Sequence, residues 1–84
     1  MAKVIVRVKV YSENPEEIDS VNDRIKNIID VKESKLEEIG FGIKIIKLIL
    51  IADESEGLEK IETDLSNVEG VSQVEIESVD RALG

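Results

Sequence analysis

The apolar residues of this chain follow two periods in turn, and the order of these periods constrains the fold more than any other feature. Valine occupies every second position from Val4 to Val10, which is the period of a strand with one buried face. From Ile18 to Ile29 the apolar residues recur at helical spacing and form one stripe. Asn14 is a suitable N-cap before this stripe, and Pro15 suits the first helical position. The chain therefore begins with a strand and a helix that ends near residue 29 or 30.

The rest of the chain continues with two strands, a second helix and a last strand. Residues 31–39 alternate weakly and are rich in charge, which predicts an edge strand protected from mispairing by Lys and Glu. Residues 43–52 form the longest apolar run, typical of a strand buried on both faces. Residues 58–68 carry a second helical stripe, and Gly70 is a typical helix stop. Residues 71–79 alternate again.

The order βαββαβ predicts an α+β, ferredoxin-like fold, in which a four-stranded antiparallel sheet carries two helices on one face. Right-handed crossovers make the first and third strands central and the second and fourth strands edges. We expect the valines of the first strand to face the helices. In the third strand Lys47 interrupts one of the two apolar sets, so we expect the other set, Ile46, Leu48 and Leu50, to point inward. The uncovered face then carries Ile43, Ile45, Ile49 and Ile51.

This uncovered apolar patch, ringed by Arg7, Lys9 and Lys47 in an acidic chain, predicts a partner surface. Two alternatives stay open. The patch is either a dimer interface, or it is screened by the long stems of the Lys and Arg side chains.

Composition limits the classes of function. A chain of 84 residues allows a single domain, residues 1–84, with one core and little room for a deep pocket. Without His and Cys the chain lacks the usual general base and thiolate ligands, so we predict that it is not an enzyme and holds no metal or cofactor. The net charge of -8 argues against direct nucleic-acid binding. No signal peptide or membrane span is visible, which predicts a cytoplasmic protein.

The only phenylalanine of the chain, Phe41, stands between Gly40 and Gly42. Glycine on each side lets the backbone turn tightly and lets another surface approach closely. The pattern predicts a hydrophobic knob on a hairpin tip. The alternative is a core aromatic that enters the sheet from a tight turn, because Phe is among the residues most often buried.

The segment 39–44, Ile-Gly-Phe-Gly-Ile-Lys, together with residues 47–48 and 51–54, resembles the signature of the guanine-nucleotide exchange domain of the translation elongation factor 1-beta family. The resemblance extends to residues 61–62 and 71–76 and covers the whole chain. The length and the element order of this chain are similar to those of the compact archaeal form of the family.

The resemblance implies an exchange factor for elongation factor 1-alpha, the GTPase that delivers aminoacyl-tRNA to the ribosome. Such a factor disturbs the phosphate and magnesium site of the GTPase, lets GDP leave, and is displaced by GTP. This work needs differential binding and no covalent chemistry. The resemblance implies that the aromatic residue of the glycine-flanked turn inserts into the GTPase.

The resemblance also gives Arg81 the role of a basic residue that reaches the magnesium and phosphate region. Eukaryotic members have Lys at that position, and a planar guanidinium is not equivalent to an ammonium group. Lys44 is either a further partner contact or an exposed strand end, and the alternative for Arg81 is a solvated charge. The predicted partner-binding residues are Arg7, Lys9, Gly40, Phe41, Gly42, Lys44, Lys47 and Arg81.

Two functions of other classes compete with this one. A ferredoxin-like regulatory module would bind a metabolite at a dimer interface, but it needs a ligand-binding turn after the first strand, and residues 12–15 are typical of a simple cap. An acylphosphatase-like enzyme needs an Arg in a phosphate loop after that strand, and none occurs between Ser12 and Asp23.

Overall fold

The computed structural model describes residues 3–55 and 57–81 and contains one four-stranded antiparallel sheet with two helices. The strands lie in the order β2-β3-β1-β4, so β1 and β3 are central, and the predicted ferredoxin-like fold is confirmed. The elements are β1 (Lys3–Ser12), a 3-10 helix (Pro15–Glu17), α1 (Ile18–Ile28), β2 (Glu33–Gly40), β3 (Ile43–Asp53), α2 (Leu58–Ser66) and β4 (Val71–Arg81). None of the helices in the described ranges is long and apolar enough to cross a membrane.

The first helix begins at the predicted cap. The Asn14 side-chain oxygen accepts a hydrogen bond from the Glu16 N–H at 3.1 Å. Pro15 opens a 3-10 turn that leads into α1, whereas the sequence predicted an α-helix from that position. Helix α1 ends at Ile28 because Ile29 has an extended backbone, with φ -121° and ψ 139°. The other element boundaries differ from the predicted ones by about two residues, which is the usual uncertainty of helix and strand ends.

The core lies between the sheet and the helices. The four valines of β1 and the inward residues of β3 are buried against helical side chains such as Ile25 and Leu65, as the alternation predicted. The β4 residues Val74 and Ile76 are partly buried and pack against the same cluster. The face of the sheet opposite the helices is called the open face below.

The prediction that Ile45 is uncovered is wrong. Its side chain is only 1% exposed, although it lies on the open face and does not belong to the helix-side core. Ile45 is paired with Glu37 on β2, and the register of β1 with β3 places Tyr11 on its other side. Long side chains on neighbouring strands cover an apolar residue between them. The apolar patch of the open face is therefore interrupted.

Strand β4 contains a bulge. Val8 is paired with Ile76 and Arg7 with Ser78, so Glu77 is an extra residue in β4. Beyond the bulge Val4 is paired with Arg81. Directly paired residues point to the same face, and Val4 is buried on the helix side, so the Arg81 side chain leaves the sheet on the helix side.

The turn before β4 packs closely against α1. Gly70 has a φ of +94°, and a Cβ atom at this position would lie 2.7 Å from Val21 Cγ2 and 3.2 Å from an Arg24 side-chain nitrogen. Arg24 donates a hydrogen bond to the Glu69 carbonyl at 2.9 Å. The Gly70 carbonyl accepts from the Glu13 N–H at 2.8 Å. Glycine is therefore required at position 70, both because φ is positive and because a Cβ atom would clash with α1.

Candidate partner-binding sites at the two ends of the sheet

The turn between β2 and β3 holds its aromatic residue in an unfavourable backbone conformation. Gly40 is paired with Ile43, so Phe41 and Gly42 form the turn, with φ angles of 54° and 75°. Two positive φ angles are required in a type I′ hairpin turn, and Asn, Asp or Gly normally supply them. Phe41 is the only non-glycine residue with a positive φ in the part of the chain that the structure describes. This conformation costs a residue with a Cβ atom about 1–2 kcal/mol.

The Phe41 ring lies outside the core. Its relative accessibility is 105%, so neither the sheet nor the helices cover it. Ile39 and Ile43 beside it are also exposed. The alternative of a core aromatic is therefore wrong, and the phenylalanine is a hydrophobic knob at the hairpin tip. Since no contact within the described chain compensates its strain, the position is better suited to binding another molecule than to stabilising this one.

Arg81 lies at the other end of the sheet, beside a groove of about 230 Å³. The floor of the groove is apolar and consists of Val4, Ala52, Leu58, Ile61 and Val79. Charged residues at the ends of β3 and β4 form its rim. Among them, Arg81 donates from a terminal guanidinium nitrogen to Glu54 Oε1 at 3.3 Å. Arg81 thus extends toward the start of α2.

The two predicted contact residues are far apart. Strand β3 runs from the hairpin end at Ile43 to the Arg81 end at Asp53, and its 11 residues span about 33 Å at the usual rise per residue. The longest dimension of the molecule is 41 Å. A partner that contacts both Phe41 and Arg81 must therefore extend along most of the molecule.

Three further residues predicted to bind the partner, Arg7, Lys9 and Lys47, lie on the open face and away from both ends of the sheet. Arg7 forms an ion pair with Asp80 at 2.8 Å. Lys9 lies between Lys47 on β3 and Glu75 on β4. The three basic residues predicted to ring an apolar patch therefore lie among acidic side chains. The exposed members of the patch, Ile43 and Ile51, lie near opposite ends of β3.

Lys47 connects both edges of the sheet. Its ammonium group lies 3.0 Å from Glu37 Oε2 on β2 and 3.7 Å from Glu77 Oε2 on β4. The hydrogen bond to Glu37, the charge of Glu37 and the charge of Glu77 raise the pKa of Lys47 above its ordinary value of 10.5. These groups lie beside a depression of about 390 Å³ that Arg7 and Lys35 also line. Because positive and negative groups alternate around it, the depression has no strong preference for ligand charge.

Lys44 completes the set of predicted partner-binding residues. Lys44 is exposed and lies opposite Glu38 in the hairpin. Within residues 3–55 and 57–81, no group of acidic, His or Cys side chains could hold a metal ion. Sequence reasoning missed the exposed Ile39, because a bulge between Glu38 and Gly40 interrupts the alternation of β2. It also missed the contact of Glu54 with Arg81, since nothing local connects residues that far apart in sequence.

Comparison with known proteins agrees with the fold and the hairpin signature. Residues 3–82 match the family model of the EF-1 guanine nucleotide exchange domain. Elongation factor 1-beta of Staphylothermus marinus is 39% identical over 88 residues, which cover 96% of this chain and 98% of that protein. Elongation factor 1-beta of Methanocorpusculum labreanum is 34% identical over 86 residues, which cover 99% of this chain and all of that protein.

A solved structure shares the fold. The crystal structure of PH0061 superposes with a TM-score of 0.57 at 24% identity and covers 95% of this chain, which spans about half (51%) of the PH0061 chain. This likeness concerns the fold alone, whereas the family match and the archaeal relatives extend over nearly the full length of both sequences. The chain therefore belongs to the family of EF-1 guanine nucleotide exchange domains, and its role is guanine nucleotide exchange in translation elongation.

Proposed function

We propose that this chain, acting as a single exchange domain in the cytoplasm, binds elongation factor 1-alpha in its GDP form and speeds the release of GDP. The observation that carries this proposal is the fully exposed Phe41, held with a positive φ at the tip of the hairpin, in a chain whose family is named for nucleotide exchange. The factor needs no cofactor, because it acts by binding alone.

At the hairpin end, Phe41 inserts into an apolar pocket of the GTPase. Gly40 and Gly42 carry no side chains that would prevent the close approach of the pocket rim, and nothing lies within 4 Å of either Cβ position. Lys44 contacts the rim of the same pocket. A buried aromatic anchor typically contributes about 2 kcal/mol or more to binding, which corresponds to about thirtyfold in affinity.

At the other end, Arg81 reaches the phosphate and magnesium region of the GTPase. A guanidinium group competes with the metal ion for the phosphate oxygens and binds them with two parallel hydrogen bonds. The sheet holds both ends at a constant separation, so contact at the hairpin end directs Arg81 toward one region of the partner. The basic residues Arg7, Lys9 and Lys47 lie on the open face, on the other side of the sheet from the Arg81 side chain, and make a separate contact with the partner.

The exchange itself follows from linkage between two ligands of the GTPase. Every 1.4 kcal/mol by which the factor prefers the nucleotide-free form to the GDP-bound form weakens GDP binding about tenfold. By the same linkage, GTP displaces the factor when it enters the site. A preference of about 4 kcal/mol would weaken GDP binding about a thousandfold.

The test is release of labelled GDP from elongation factor 1-alpha in the presence and absence of the chain. We expect the intact chain to accelerate release, Phe41→Ala to need about a thirtyfold higher concentration for the same rate, and Arg81→Ala to release GDP more slowly at saturation. Ile28→Ala removes an exposed isoleucine of α1 outside both proposed contacts and serves as the control.

Ionic strength separates the two contacts. Added salt screens the interaction of an exposed guanidinium with phosphate but not apolar burial, so the effect of Arg81→Ala should shrink with salt while that of Phe41→Ala stays constant. Unchanged GDP release with the intact chain at any concentration would reject the proposed function. Full activity of Phe41→Ala would reject the role of the hairpin tip alone.

The metabolite-binding alternative is not favoured. In the turn after β1, the Ser12 hydroxyl donates to the Asn14 carbonyl at 2.6 Å, and the Asn14 side chain caps the helix. The polar groups of this turn thus bind one another. The family match supports exchange and not metabolite binding.

A further inference from the structure

Three ion pairs hold basic side chains of β1 and β4 against acidic side chains of β4 or of the end of β3 and the residue after it, and they differ in length and in the exposure of the cation. They are Arg7–Asp80 at 2.8 Å, Lys3–Asp53 at 3.1 Å and Arg81–Glu54 at 3.3 Å. The Arg81 side chain is 76% exposed, compared with 46% for Arg7 and 57% for Lys3. The pair of Arg81 with Glu54 is thus the longest and has the most exposed cation, so it is the easiest to exchange for another anion.

The direction of the Arg81 side chain depends on this pair. Its backbone is held by pairing with Val4, but a long Arg side chain has many rotamers. Glu54 follows β3 and lies on the rim of the same groove, so its carboxylate draws the guanidinium over the groove toward the start of α2. One guanidinium nitrogen makes this contact at 3.3 Å, which is longer than the usual distance between charged partners.

We propose that Glu54 competes with the partner for Arg81: it binds Arg81 in the free factor and releases it to an anionic group of the GTPase–nucleotide complex. This inference rests on the proposed function. A carboxylate and a phosphate compete for the same guanidinium, and the phosphate offers two parallel hydrogen bonds where Glu54 accepts one. Binding of the partner must therefore break the Arg81–Glu54 pair, and an exposed pair of this kind weakens binding by at most about fivefold.

The inference predicts a gain of affinity on removal of the carboxylate. Glu54→Gln keeps the size of the side chain and removes its charge, so the equilibrium affinity for GDP-bound elongation factor 1-alpha should rise about two- to fivefold at low salt. The rate of GDP release at saturating factor should not change, because Arg81 contacts the same anion in the final complex.

Glu59→Gln is the matched control. Glu59 lies in the first turn of α2, carries the same charge as Glu54, and forms no ion pair among the described residues. The control therefore measures how far the general loss of negative charge favours association. The gain of Glu54→Gln over Glu59→Gln should disappear when both are combined with Arg81→Ala, because Glu54 acts through Arg81.

The outcomes separate this inference from the function on which it rests. If the intact chain accelerates GDP release but Glu54→Gln binds no more tightly than Glu59→Gln, the inference is wrong and the proposed function stands. A gain that persists without Arg81, or a loss of affinity in Glu54→Gln, also overturns it. If the intact chain does not accelerate release at all, the proposed function fails and the inference fails with it.

Discussion

Gly40 is paired directly with Ile43 across the β2–β3 hairpin, so the chain reverses with Phe41 and Gly42 alone. A turn this short requires positive φ angles at both positions, and Phe41 adopts one despite its Cβ atom. The exposed ring makes no contact that would offset this cost. The residue proposed to anchor the partner is therefore one that destabilises the free protein.

Replacement of this phenylalanine should separate stability from function. Phe41→Asn places a residue that tolerates positive φ at the same position, so we expect the free energy of unfolding to rise by about 1 kcal/mol and Tm by about 4–8 °C. The same variant should lose most of its ability to release GDP from elongation factor 1-alpha. Thermal unfolding followed by circular dichroism measures the first effect, and a lower Tm would contradict the strain that we assign to the turn.

Burial on the open face should make Ile45 important for stability. Ile45→Ala removes a side chain that is 1% exposed, so it should lower the free energy of unfolding by about 2–4 kcal/mol. Ile51→Ala, on the same strand and face but 43% exposed, should cost less than about 1 kcal/mol. Urea denaturation of both variants measures the two losses of free energy of unfolding. Equal losses would contradict the conclusion that Ile45 is buried and Ile51 is not.

The close approach of α1 to the turn before β4 predicts a large effect at Gly70. Gly70→Ala combines an unfavourable positive φ with a clash against Val21, so it should destabilise the fold by about 2–4 kcal/mol. Gly42→Ala is the control, because Gly42 has a positive φ of +75° and nothing within 4 Å of its Cβ position. The difference between the two free energies of unfolding isolates the steric contribution. Similar values would mean that α1 yields to the added methyl group.

The ion pairs of Lys47 predict that the fold loses stability at alkaline pH. Glu37 and Glu77 raise the pKa of Lys47 in the folded state. The ion pairs of Lys47 therefore contribute fully to the free energy of unfolding below its ordinary pKa of 10.5, and this contribution is lost as the pH rises through the raised pKa. The stability difference between the intact chain and Lys47→Met should therefore be constant between about pH 7 and pH 9 and should fall above about pH 10.5. Denaturation at a series of pH values measures the difference in free energy of unfolding between the intact chain and Lys47→Met. A difference that stays constant through the alkaline range would exclude a contribution of the Lys47 ion pairs to stability.

The order of elements could be predicted because each element carries its own period. The valines of β1 and the helical stripes need no distant information, and the right-handed crossover rule then determines the order of the strands. Alternation also identified which face of β3 turns inward. It could not show whether Ile45 is covered, because coverage depends on the residues of β1 and β2 beside it.

The candidate site was predictable only in its local part. The glycines around Phe41 indicate a turn that presents an aromatic residue, and the structure places that residue at an exposed tip. The contact of Arg81 with Glu54 joins residues 27 positions apart and depends on where β3 and β4 end. The bulge at Glu77 shows in the sequence only as a change of apolar spacing, from two residues between Val74 and Ile76 to three between Ile76 and Val79.

The bulge at Glu77 determines the side of the sheet to which Arg81 points. If the same residues paired without a bulge, the register of Val8 with Ile76 would continue, Asp80 would lie opposite Val4, and Arg81 would point away from α2. Deletion of Glu77 would remove the bulge and still leave Ser78 opposite Arg7 and Arg81 opposite Val4, so every later side chain would keep its face. Between Ile76 and Ser78, strand β4 thus holds one residue more than its pairing with β1 requires, and the bulge accommodates it.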